Sequence, residues 1–320
     1  ENVSRGVVSW GGEPMSPTKM VTWQGFERGQ IALRLQRREI GFLEFLRLNV
    51  CPLARTRGQK NSTLVKVAPP SQRLHMERDF LLLAPACIEQ LRTARPELSQ
   101  TLQQALQLKQ QQRMQEWWNA WLTAKEWQQF ISIAARPLEM GGDEPAHISR
   151  SLQALDYAIA QGQRWQQQDY HYRSSEMEFH QQQLMLGESL GKWLHAQALQ
   201  TDVLNRVAQV LEQRFAQKPL CITGQKTDKA NILFTVFQKF YLTQVQPYMS
   251  RSDQLGQQLL QNLNTLQQLL QQQGIEAPST YRDWLAELER RQQAFTLARQ
   301  RHVRAWRNTL SECGFLPSKP

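Results

Sequence analysis

Long hydrophobic runs are missing from this chain: no stretch of about 18 consecutive apolar residues occurs, so nothing in it crosses a membrane as a helix. Cysteine is scarce, with four residues in 320, and none stands in a Cys-x-x-Cys pair, which argues against zinc and thioredoxin-like sites. The six histidines are scattered, and no two have the His-Glu-x-x-His spacing of a zinc hydrolase. Glycine and proline are modest, and there is neither an arginine-rich tail nor a block of like charges. Methionine is missing from the first position. The chain opens on Glu1, so an upstream or processed segment is expected, and a signal peptide would lie there.

What is present describes a folded, basic protein. Hydrophobic residues make up 41% and charged residues 21%, a globular balance. Glutamine is abundant; runs such as Lys109–Gln112 and Gln271–Gln273 suit solvated helix faces, since glutamine is a fair helix former with a neutral head. The net charge of +10 favours acidic partners: nucleic acid, anionic headgroups or acidic envelope polymers. Its clusters, Arg34, Arg37 and Arg38 and then Arg299, Arg301, Arg304 and Arg307, are dispersed enough to read as a generic basic surface. Four separated cysteines allow two disulfides in an oxidising compartment or four buried thiols in a reducing one. Of the three connectivities, Cys51 with Cys87 and Cys221 with Cys313 puts each pair at helix ends where chain segments must meet.

Apolar periodicity is helical nearly throughout. Residues 1–29 form the exception, an extended arm pinned by Trp10, Trp23 and Phe26. Ile31, Leu35, Ile40, Leu43, Leu46 and Val50 predict a helix from Gln30 that Pro52 stops. After a polar loop Ser71 is the expected N-cap of the next helix, which Pro85 should kink or end. Pro96 opens another helix, leading to Trp117, Trp118 and Trp121, read as core rather than a base-stacking platform. The break at Leu138–Pro145 is the clearest in the chain. Short and long helices follow at His147–Ala160 and Met177–Phe215, and then one capped by Thr227 or Asp228 that Pro247 should end. Leu255, Leu259, Leu263, Leu266 and Leu270 form a seam, and a last helix from Ser279 carries Tyr281, Trp284, Leu288, Phe295, His302, Trp306 and Leu310 before Cys313-Gly314 closes it. The expected fold is all-α: about nine to eleven helices in a multi-helix bundle of antiparallel helical hairpins. Residues 30–320 form one domain in this reading, with two halves meeting near 138–146 if it divides.

Catalytic motifs match only by letter. Gly187-Glu188-Ser189-Leu190-Gly191 has the nucleophile-elbow pattern without the strand that must precede it. Gly224-Gln225-Lys226-Thr227 lacks the first glycine of a phosphate loop and reads as a capped turn. Asp169, His171, Glu176 and His180 are the only local histidine-acid grouping, too few convergent ligands for a metal. No catalytic residue, metal or cofactor is assigned. The candidate binding residues are Arg57, Lys60, Asn61 and Ser62 in the polar loop, and Ser71, Gln72, Arg73 and Glu77 at the helix start, where unpaired N–H groups favour an anion. The alternative is that the loop's polar side chains serve its own backbone.

Cys51-Pro52-Leu53, Lys60-Asn61-Ser62-Thr63-Leu64, Val67, Pro70-Ser71-Gln72-Arg73-Leu74 and Glu77 together resemble a gammaproteobacterial family known as domain of unknown function 3080. Cys87-Ile88, Trp118-Asn119, Ala135-Arg136-Pro137-Leu138, Leu220-Cys221, Phe240-Tyr241, Val245-Gln246-Pro247-Tyr248 and Cys313-Gly314 continue the likeness in order. The chain departs from the family's loop in having Gln59-Lys60 and Val65 where Glu-Arg and Gly are usual. No activity, cofactor or substrate is attached to the family. The resemblance implies export, a lipid anchor on an upstream cysteine and a periplasmic location, which would favour disulfides over thiols. The leading expectation is a non-enzymatic binding or scaffolding module of the cell envelope, its partner an envelope protein or an anionic envelope component. An envelope-acting enzyme assembled from distant helices and a basic nucleic-acid binder are the alternatives, the last less favoured.

Overall fold

A computed structural model describes residues 25–36, 51, 53, 68–132, 134, 136–139, 143–221 and 225–315 of the chain. Ten α-helices occur among them: α1 (Pro70–Leu91), α2 (Pro96–Gln111), α3 (Arg113–Leu122), α4 (Lys125–Ile131), α5 (Glu144–Gln166), α6 (Ser174–Gly187), α7 (Ser189–Gln217), α8 (Asp228–Val236), α9 (Gln246–Gln271) and α10 (Ser279–Glu312). A π-helical segment, Phe237–Val245, joins α8 to α9. The described residues are 80% helical and contain no strand; joined end to end they make eight rods, slightly fewer than expected.

Local chemistry explains most boundaries. Thr227 caps α8 by accepting the Ala230 N–H, and Gly314, at φ 67°, closes α10 where L-residues are strained. Three expectations fail for a physical reason. Ser71 is not a cap: α1 begins with Pro70 at its first position, where the missing N–H costs nothing, and Ser71 is buried one residue inside. Pro85 does not end α1, which runs through it to Leu91. Pro247 does not end its helix either. The wide turn before it already carries the Gln246 N–H to Tyr241 O, five residues back, so the ladder proline would interrupt has been left.

The main core is a tryptophan cluster. Trp117, Trp118, Trp121, Trp127, Trp165 and Trp193 are all fully buried, packed with the leucine seam of α9 and with Tyr281 and Leu288 of α10. Three of the six use their polar edges: Trp117 donates to Ala158 O, Trp118 to Ile31 O and Trp121 to the Gln161 amide oxygen. This cluster draws residues from both sides of the 138–146 break. Smaller satellite cores lie outside it. One, under α1 and α2, contains the Cys51–Cys87 disulfide; another, where α8 meets the end of α10, contains Cys221–Cys313. Both bridges are those expected.

The Gly187-to-Gly191 stretch is a packing device. Glu188 takes a left-handed conformation (φ 46°) that separates α6 from α7, and buried Ser189 donates to Ser151 Oγ at 3.0 Å. A Cβ at Gly191 would lie 2.0 Å from Ser132 O, so glycine is what lets α7 meet the segment after α4.

Candidate functional site

The head of α1 gathers the chemistry that the described residues offer. On one side of it lies a cavity of about 220 Å³. Its walls are Ala32, Leu33 and Leu35, the first turn of α1 at Pro70 and Arg73, and the α3 face carrying Glu116, Asn119, Ala120 and Thr123. The first wall corrects the sequence reading. Ile31–Gln36 is not helical; residues 37–50 of the predicted helix lie outside the described residues. Asn119 explains the change. Its side-chain oxygen accepts the Leu33 N–H at 2.8 Å while its nitrogen donates to Leu33 O at 2.8 Å. One amide can meet both groups of one residue only when that residue is extended, because in a helix they point to opposite ends. Ile31 O is taken by Trp118.

The opposite side of α1 holds a polar cluster. His75 is buried; its Nδ1 lies 2.8 Å from the Tyr172 hydroxyl and its Nε2 faces Glu178 at 3.5 Å, too far for a good hydrogen bond. Gln72 donates to the same carboxylate at 2.7 Å. Arg78 stacks 4.8 Å above the Tyr172 ring and donates to Tyr172 O and to Ser174 Oγ. Burial, and next Arg78, push the His75 pKa down, while burial pushes that of Tyr172 up. Both groups are therefore neutral near pH 7, and the arrangement is a hydrogen-bonded tie between α1 and α6 rather than a source of phenolate.

Of the predicted site residues, Ser71, Gln72, Arg73 and Glu77 are described, and they meet different surroundings. Arg57, Lys60, Asn61 and Ser62 lie outside the described residues. Arg73 reaches the cavity, Gln72 the Glu178 cluster on another face, and Glu77, one turn beyond Arg73, pairs with Lys109 of α2. The residues that give the cavity its form, Asn119, Leu33 and Leu35, were not singled out. His75 was passed over among scattered histidines, although Gln72, His75 and Asp79 follow a helical stripe.

No group of three or more metal-ligating side chains converges among the described residues. Asp169 and His171 pair with each other on the surface at 3.0 Å, whereas His180 stacks on Tyr157. No helix of the described residues is long and apolar enough to cross a membrane. Part of the basic cluster on α10 is neutralised, Arg299 by Asp253 and Arg301 by Glu212.

Compared with known proteins, residues 17–317 match the profile of the family described as Protein of unknown function (DUF3080). No curated protein and no solved structure matches the chain.

Proposed function

The chain belongs to the DUF3080 family over nearly its whole length, and from that premise we propose that it is an exported, non-catalytic binding module of the cell envelope. In this reading it is tethered by lipid on its periplasmic side and takes its partner at the head of α1. The cavity there carries the reading. Its lining is largely apolar, with Leu33, Leu35, Pro70 and Ala120, and its polar groups are already engaged. Asn119 is committed to Leu33, the Thr123 hydroxyl donates to Asn119 O, and Arg73 and Glu116 are each held in an interaction of their own. Such a cavity holds a group rather than transforming it. Export is supported by the cysteines, all of which are paired.

A photoreactive residue at Leu35 tests the proposal in living cells. Discrete adducts from that position, and none from exposed Gln293 on α10, are the expected result. The reading fails if no adduct forms, or if the purified protein turns over ester, peptide or glycan substrates in a way that His75→Ala abolishes.

A further inference from the structure

The stretch Ile31–Gln36 has two unlike edges. Ile31 O and both backbone groups of Leu33 face α3, held by Trp118 and Asn119. In an extended chain the N–H and C=O groups of alternate residues point to opposite edges. Those of Ala32 and Arg34 therefore face away from α3. Both residues are exposed, and among the described residues neither backbone has a hydrogen-bond partner. Burial follows the same alternation: Ile31 is buried, Leu33 and Leu35 are half-buried, and Ala32, Arg34 and Gln36 are exposed.

We propose that this open edge takes an extended polypeptide segment by strand addition, with one apolar side chain of the segment entering the cavity. The inference rests on the binding-module reading and names its partner class. Ala32, Leu33 and Leu35 line the cavity, the two leucines from one face of the ribbon. A strand added beside them presents its own side chains to that same face at the same two-residue period. The volume, about 220 Å³, suits a leucine or phenylalanine side chain with room to spare. Charge selects the flanks: exposed Arg34 on the edge favours an acidic residue beside the apolar one. Asn119 matters because it preorganises the edge and fixes the register before the partner arrives.

The test uses the full chain, isotope-labelled, and a pool of capped seven-residue peptides of pattern Thr-Thr-Asp-X-Asp-Thr-Thr, where X is leucine, isoleucine or phenylalanine. A second pool is N-methylated at alternate residues, which removes the N–H groups a strand needs. With the first pool, amide exchange at Ala32 and Arg34 should slow by roughly tenfold or more, equivalent to one well-made hydrogen bond. The methylated pool should leave exchange unchanged. Equal effects of the two pools, or no protection by either, would overturn strand addition. If Leu35 still cross-links in cells in that case, only this inference is lost; if the cross-links are absent too, the binding-module reading goes with it.

Discussion

His302 shows how much one buried ring constrains the protein. Trp306 donates its indole N–H to His302 Nε2 at 3.1 Å, so in the neutral imidazole Nδ1 carries the proton. The ring also packs 5.0 Å from Tyr241 of the π-helical segment. Burial pushes its pKa down to about 4, against 6.5 for an exposed imidazole. The unfolded chain therefore takes up this proton first. Its contribution is complete above pH 6.5 and is lost as pH falls towards about 4, a loss on the order of 3 kcal/mol. His75 shifts in the same direction and steepens the decline. Urea unfolding across this range should show the fall, and His302→Phe, which keeps a ring but cannot titrate, should flatten it. Asn119 is the second residue whose loss is specific. Asn119→Asp still accepts the Leu33 N–H but sets a carboxylate against Leu33 O, so a destabilisation of about 1–3 kcal/mol is expected in the same assay.

Between elements, stability comes from different sources in different places. The tryptophan core contains no disulfide and combines packing with buried indole hydrogen bonds, whereas the α1–α2 hairpin and the α8–α10 end each have a small core with a disulfide in it. The bridges close 36 and 92 residues. On a chain-entropy account, replacing each pair by serine should cost about 4 and about 4.5 kcal/mol. Hydrogen exchange should localise the first loss to α1 and α2 and the second to α8 and the end of α10, with the tryptophan core still protected. Gly191 is the opposite kind of contact. Its neighbour is a carbonyl oxygen of the main chain, which cannot turn aside, so Gly191→Ala should cost about 3 kcal/mol in thermal or urea unfolding.

At the scale of the molecule, the helices are not ordered by hairpins alone. Chain neighbours such as α1–α2, with Ser99 bonded to Ile88 and Lys109 to Glu77, run antiparallel. Yet α7 and α10 run in the same direction, as Gln197 meets Gln292 and Glu212 meets Arg301. The seam between them is mixed: Leu204, Val207 and Leu211 share apolar clusters with Phe295, Trp306 and Leu310, while Gln292 also donates to Asp253, which Arg299 neutralises. Glutamine thus serves the interior as well as the solvated runs, with Gln161, Gln181, Gln197 and Gln200 buried. If the chain is exported, alkylation of cells lysed without reductant should label none of its four cysteines; reduction first should expose all four.

Repeating apolar spacing and cap chemistry were enough to establish an all-α chain, its leucine seam, the buried face of α10 and the start of α8, because each depends on residues three or four apart. The cysteine pairing was also legible, from the positions of the four residues at helix ends. The cavity was not. Ile31, Leu33 and Leu35 alternate with Ala32, Arg34 and Gln36, a two-residue period, while Ile31 and Leu35 alone also fit a helix. Nothing within that stretch chooses between the two. An asparagine 86 positions away does, by giving the Leu33 backbone partners that a helix would otherwise have supplied. Helical spacing by itself puts Gln72 on a different face from Arg73 and Glu77, which lie one turn apart; that these faces meet the Glu178 cluster, the cavity and Lys109 depends on which helices surround α1.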